Sequence, residues 1–280
     1  MYDIFHSTYE KMAQAQLVFV GLGLYDESDV SLKGLQALKD CDEVYAEFYT
    51  AKLGRFDKKS FETLIGKKIE ILSREETEKG EKILTAAARK SIVFLTCGDP
   101  MIATTHVDLR LRAIQQGIVT KIIHNSSIAT AVPGLLGLQH YKFGRTTTLA
   151  YAEKDYFPTS PYTVIYNNKK IGLHTLVLLD IQVEKNLFMT ANEGFDLLLQ
   201  MEEKEKKHLF DTDILACVVA RAGGPNPIIA ADMLQRLRKK DFGQPLHTIV
   251  IPGPLHFMEV EALELCAGLP PDVKSKIQKL

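Results

Sequence analysis

Ser91-Ile92-Val93-Phe94-Leu95-Thr96-Cys97-Gly98-Asp99-Pro100 reads as a buried strand running straight into a glycine turn. Four consecutive apolar residues, Ile92 to Leu95, suit a strand covered on both faces better than one half exposed to water. Leu17-Val18-Phe19-Val20, followed by Gly21-Leu22-Gly23-Leu24, repeats the arrangement near the start of the chain. Working outward, further strands are predicted at Glu43–Glu47, Lys68–Leu72 and Val119–His124. Helical spacing predicts helices at Leu32–Lys39, Lys79–Lys90 and Thr105–Gln116. Strands alternating with helices give a mostly parallel sheet with helices on its faces.

The alternation restarts past residue 125. Strands are predicted at Thr146–Tyr151, Thr175–Ile181, Ile214–Arg221 and Thr248–Ile251. Helices are predicted at Thr159–Lys170, Thr190–Glu202, Ala230–Lys239 and His256–Leu265. Pro133 and Gly134 mark a turn or an interrupted helix early in this half. The charged run Glu202 to Lys207 reads as a solvated helix end. The fold class is α/β with two α/β domains, residues 1–125 and 126–280, the first carrying an extension over residues 1–16.

Composition excludes several classes. The chain has 280 residues, 46% of them hydrophobic and 25% charged, which is enough apolar material for packed domains and rules out general disorder. Lysine and arginine total 34 against 35 acidic residues, a balance of −1 that does not suit a broad nucleic-acid footprint. Cys41, Cys97, Cys217 and Cys266 lie far apart among apolar neighbours, as reduced and buried cysteines of a cytoplasmic protein do. No clustered ligands suggest a metal. No run approaches the ~20 apolar residues of a membrane helix, and the first residues lack the apolar core of a signal peptide.

Chemistry concentrates at strand ends. Glycines after Leu17–Val20 allow a ligand to approach the backbone closely, which fits a dinucleotide site or a plain tight turn. The dinucleotide fingerprint needs a small residue at position 26, where Asp26 would repel a pyrophosphate. Asp99, biased to extended backbone by Pro100, can present its carboxylate to an amine or a ribose, or simply cap a turn. Ser127 follows the next strand and can cap a helix or bind a ligand. Ala220-Arg221-Ala222-Gly223-Gly224 and Gly243-Gln244-Pro245-Leu246-His247 add two more loops. Open α/β sheets bind ligands at the carboxyl ends of their strands, where most of these loops fall. Neither a Gly-x-Ser-x-Gly elbow, a phosphate-binding P-loop nor a His-Glu-x-x-His zinc motif occurs.

Taken together, these motifs resemble the tetrapyrrole methylase family, the class III S-adenosylmethionine-dependent methyltransferases, and within it the diphthine synthases. The resemblance runs from about Leu17 to Leu265. It is carried by Val18–Leu24, Ala46-Glu47-Phe48-Tyr49-Thr50, Gly98-Asp99-Pro100 with Ala103-Thr104-Thr105-His106, and His124-Asn125 with Ser127-Ile128. Leu179-Asp180-Ile181, Ala220 to Gly223 and Pro245-Leu246-His247 extend it. Tyr141-Lys142-Phe143-Gly144 and Gly172-Leu173-His174-Thr175-Leu176 point to the diphthine synthase branch. Cys97 stands where many relatives have proline, a small change at a turn.

The resemblance implies a mostly parallel sheet in the first domain, a mixed sheet in the second, a cofactor cleft between them, and a homodimer. S-adenosylmethionine would be the cofactor, leaving as S-adenosylhomocysteine. By motif, Leu24, Asp99, Ile102, Ser127, Ile128, Leu179, Ala222 and His247 would contact it; no catalytic residue and no metal are implied. The implied protein substrate is translation elongation factor 2. The amino group of a 3-amino-3-carboxypropyl histidine would be methylated repeatedly, with neither membrane nor nucleic acid involved. The alternatives are a tetrapyrrole-precursor methyltransferase of the same family and a non-enzymatic elongation factor 2 binding protein.

Overall fold

The structure, a computed structural model, describes residues 15–152, 157–210 and 214–277. Most of the extension assigned to residues 1–16 therefore lies outside the described residues, and Gln16 already belongs to the first strand. The described residues divide into two compact units, one ending at Ser127 and the other beginning at Ile128.

The first unit is built on β1 (Gln16–Gly21), β2 (Glu43–Ala46), β3 (Ile69–Ile71), β4 (Ser91–Thr96) and β5 (Val119–Ile123). They pair in the order β3-β2-β4-β1-β5, every pair parallel. The apolar runs in β1 and β4 are buried on both faces, as their composition requires. Val18, Val20, Val93 and Leu95 face one core with Phe61 and Leu38. Leu17, Phe19, Ile92 and Phe94 alternate onto the other with Ile83 and Leu109. Phe19 and Phe94 meet edge to face across the strand pair, a favoured ring geometry. Helices Leu32–Asp40, Glu81–Ala87 and His106–Gln115 match the apolar spacing, although the second is shorter than predicted. Two more helices, Lys58–Ile65 and Arg74–Lys79, fill stretches given no element from sequence. Ser73 and Glu76 form a reciprocal capping box that starts the second of them.

The second unit carries β6 (Thr147–Leu149), β7 (Thr175–Leu179), the short hairpin β8 (Ile181–Gln182) and β9 (Leu187–Phe188), and β10 (Leu215–Ala220), β11 (Ile228–Met233) and β12 (His247–Ile251). Five of them form a mixed sheet, β11-β10-β12-β7-β6, in which only β6 and β7 run parallel. β11 takes the first four residues of the helix predicted at Ala230–Lys239, of which only Leu234–Leu237 is α-helical. Alanines 230 and 231 favour helix locally, but all six residues of β11 pair antiparallel with β10, and tertiary pairing wins. The helix Ile128–Leu136 runs through Pro133 without a break. Proline there removes one backbone hydrogen bond, while Val132 and Leu136 hold the helix on its core. The predicted solvated helix end is the last turn of Ala191–Glu205, closed by Lys206 in the left-handed conformation. Cys41, Cys97 and Cys217 are buried thiols, but Cys266 is exposed, contrary to the expectation for all four.

Candidate functional site

In the first unit, β1 and β4 are parallel neighbours with Gly21 opposite Thr96. The glycine turns that follow them therefore leave the sheet side by side. Leu22 N–H donates to the Thr96 carbonyl at 2.8 Å. Gly23 and Gly98 then exchange two backbone hydrogen bonds, at 2.7 and 3.3 Å. A Cβ on Gly21 would stand 2.3 Å from the Gly98 carbonyl oxygen, so only glycine permits this approach. Gly98 itself lies at φ +67°, a backbone region costly for residues with a Cβ.

Asp99 is 6% exposed and its carboxylate is fully engaged. Oδ1 accepts from Met101 N–H at 2.9 Å, and Oδ2 accepts from the His124 ring at 2.7 Å and from Asn125 N–H at 3.2 Å. A carboxylate pointing freely into a crevice is thus replaced by one that ties two strand-end loops together. Asn125 extends the tie, donating from Nδ2 to the carbonyls of Gly21 and Asp29, both at 2.9 Å. Asp29 in turn accepts from Leu24 and Tyr25 N–H at 2.9 and 2.7 Å. Asp26 accepts from Ser28 N–H at 2.9 Å and caps a short 3-10 turn where a dinucleotide fingerprint would need a small residue. Of the predicted contacts, Leu24, Asp99 and Ser127 stand on these interlocked loops. Ile102, 44% exposed, stands on the turn after Pro100.

Two residues within quoted motifs but outside the predicted site lie beneath that turn. Glu47 is 0% exposed and His106 is 1% exposed. Glu47 Oε2 accepts from the N–H groups of Tyr49 and Thr50, both at 3.0 Å, and Oε1 accepts from the Thr50 hydroxyl. His106 Nε2 faces Glu47 Oε1 at 3.4 Å. Burial lowers the His106 pKa, against the pull of the Glu47 charge and the bond to Pro100. The signal for both was present in Ala46–Thr50 and Ala103–His106; their meeting was not.

In the second unit, the predicted contacts fall on both faces of the mixed sheet. Ile128 and Ala222 pack in one core, Leu179 in the other. Gly194 lets the helix Ala191–Glu205 close onto Leu179, because a Cβ there would lie 2.9 Å from Leu179 Cδ2. His247 is buried beside Phe242, with ring centroids 6.0 Å apart. Its Nδ1 accepts from Ala191 N–H at 3.1 Å, so Nε2 carries the proton and donates to the Gln244 carbonyl at 3.1 Å. Burial lowers its pKa and keeps the ring neutral. With both ring nitrogens occupied, His247 offers a ligand its backbone or ring edge. Arg221, at φ +54°, pins the loop before β12 by donating to the carbonyls of Phe242 and Gln244 at 2.6 and 2.7 Å.

The model of the Tetrapyrrole (Corrin/Porphyrin) Methylases matches residues 16–237. The chain is 48% identical over 254 residues to the diphthine synthase of Methanothermobacter thermautotrophicus, covering 91% of this chain and 96% of that one. It is 49% identical over 257 residues to the diphthine synthase of Methanocaldococcus jannaschii, covering 90% of this chain and all of that one. A crystal structure of diphthine synthase superposes with a TM-score of 0.85 at 38% identity, over 94% of this chain and 100% of that one. The chain belongs to the diphthine synthase family of tetrapyrrole methylases. It is a methyltransferase of diphthamide biosynthesis. Among the described residues, no three of His, Cys, Asp and Glu group as metal ligands, and no helix is long and apolar enough to cross a membrane.

Tyr141–Gly144 and Gly172–Leu176 meet in one buried network of the second unit. Lys142 donates to Glu259 Oε2 and to the Pro254 carbonyl. His174 Nδ1 accepts from Gly253 N–H at 3.0 Å, and its Nε2 donates to Glu259 Oε1 at 2.9 Å. Glu259, 1% exposed, also accepts from the N–H groups of Gln139 and His256 at 2.9 and 2.8 Å. Burial would push this carboxyl up, but Lys142, the two backbone donors and His174 together hold it down to about 2. Burial also lowers the His174 pKa. Gly144 completes the motif: a Cβ there would stand 2.4 Å from Asn168 Oδ1, and the Asn168 amide is bonded to Arg145 and Thr175. These two motifs therefore help to build the second unit's interior.

Proposed function

We propose that this methyltransferase takes its methyl from S-adenosylmethionine and methylates, repeatedly, the amino group of a 3-amino-3-carboxypropyl histidine on translation elongation factor 2. It would act as a cytoplasmic homodimer. The reading is carried by near-half identity to diphthine synthases over about nine tenths of the chain. The first unit's carboxyl-edge loops fit the cofactor, since the nearest atom to a Cβ built on Gly98 is 3.8 Å away and Ile102 offers an exposed apolar side chain. Leu24, Asp99, Ile102 and Ser127 of the first unit would hold it, with Ile128, Leu179, Ala222 and His247 of the second. When bound, S-adenosylmethionine supplies a methyl on a sulfonium, already a good leaving group. The protein's contribution is then chiefly to position donor and acceptor. Asp99 serves by locking the turns, because each of its oxygens holds a different loop.

The test is mass spectrometry of elongation factor 2 bearing the aminocarboxypropyl histidine, after incubation with this protein and S-adenosylmethionine. A ladder of methyl increments on that histidine is expected, and its last rung tells whether the carboxylate is also esterified. Cofactor binding without any increment would overturn the substrate assignment and turn the search to tetrapyrrole precursors.

A further inference from the structure

The geometry points to His106 as a positioning residue for the cofactor, acting through the Pro100 carbonyl with buried Glu47 behind it. This rests on the proposed use of S-adenosylmethionine. Pro100 follows Asp99 directly, and its carbonyl oxygen accepts from two side chains, Thr104 Oγ1 at 3.1 Å and His106 Nδ1 at 3.2 Å. A carbonyl can only accept, so Nδ1 carries a proton and the tautomer is set. Nε2 then faces the Glu47 carboxylate at 3.4 Å, out of reach of solvent. Nε2 makes no hydrogen bond there, so the ring is anchored through Nδ1 and the Pro100 carbonyl. The Phe94 ring, 5.1 Å away and edge-on at 86°, fixes the imidazole plane.

The backbone between Pro100 and His106 gives this bracing a purpose. Ala103 sits at φ +56°, a left-handed conformation that alanine adopts only where its surroundings hold it. Both donors to Pro100 lie just beyond it, at Thr104 and His106. They clamp the turn that presents Ile102 at the surface and Asp99 beneath it. Glu47 belongs to the loop after β2, and β2 is the other neighbour of β4. The loops after β2 and β4 thus pack against one ring.

Two substitutions separate this role from simple core packing. His106→Asn keeps a donor at the Nδ1 position, toward Pro100, and gives up Glu47. His106→Gln keeps a donor at the Nε2 position, toward Glu47, and gives up Pro100. S-adenosylmethionine affinity is measured by calorimetry on the full chain, with melting temperature beside it. His106→Gln is expected to weaken binding about tenfold, the size of one lost hydrogen bond. His106→Asn is expected to restore affinity to within about twofold of the parent, even where it melts lower. Equal affinities in the two variants would overturn the inference, as would losses that simply follow the melting temperature. Failure of the parent protein to bind S-adenosylmethionine would instead overturn the cofactor assignment.

Discussion

Glu259 accepts four hydrogen bonds in the buried network of the second unit. Replacing it with leucine removes four acceptor contacts at once: Lys142, His174, and the N–H groups of Gln139 and His256. The Lys142 cation, with only 11% of its side chain exposed, would keep just the Pro254 carbonyl. Breaking a buried ion pair from one side costs about 3–5 kcal/mol. At roughly 2–4 °C per kcal/mol for a unit of this size, Glu259→Leu should lower the melting temperature by roughly 6–20 °C. Adding Lys142→Met removes the stranded charge and should recover a large part of the loss. What remains reflects the orphaned backbone donors, at about 1–3 kcal/mol each. Urea titration followed by circular dichroism gives the free energies for a double-mutant cycle. A single substitution costing under about 1 kcal/mol, or a double variant no more stable than the single, would refute the reasoning.

The same network predicts acid sensitivity. His174 has its pKa lowered by burial, so it favours folding fully above its ordinary value of 6.5, and that contribution falls away as pH drops below it. Glu259 is held near 2 against an ordinary 4.5, so its contribution is complete above about 4.5 and is lost as pH falls toward 2. Melting temperature against pH should therefore decline less steeply below pH 4.5 in Glu259→Gln than in the parent; parallel curves would remove Glu259 from the effect. In the first unit, Gly21→Ala places a Cβ 2.3 Å from the Gly98 carbonyl and must push the two glycine turns apart. It should cost about 1–3 kcal/mol as overpacking and abolish measurable S-adenosylmethionine binding. Calorimetry showing parental affinity would mean the turns need not touch.

Much of the fold was legible because apolar runs declare burial locally. β4 begins and ends where Ser91–Thr96 predicts, since four successive apolar residues suit a strand covered on both faces. β11 was misread because alanine reads as helix until a partner strand claims it. The helix Arg74–Lys79 was missed although Ser73-Arg74-Glu75-Glu76 carries a capping-box signature. The site was legible as motifs and not as contacts. Glu47 and His106 each lay in a quoted stretch, yet neither stretch says that the other lies beside it. Asp99 was legible as a carboxylate at a strand end, but its three partners come from two different loops.

The residues alone determined that β1 and β4 are buried strands and that glycine turns follow them, because apolar runs and backbone freedom are local properties. Only the tertiary structure decided which turns touch. Gly23 meets Gly98 because β1 pairs with β4, not with β2 or β3. That order is chosen by the burial of whole sheet faces, Val18 with Val93 on one side and Phe19 with Phe94 on the other. A strand's own sequence records that it must be covered; it does not record which neighbour covers it.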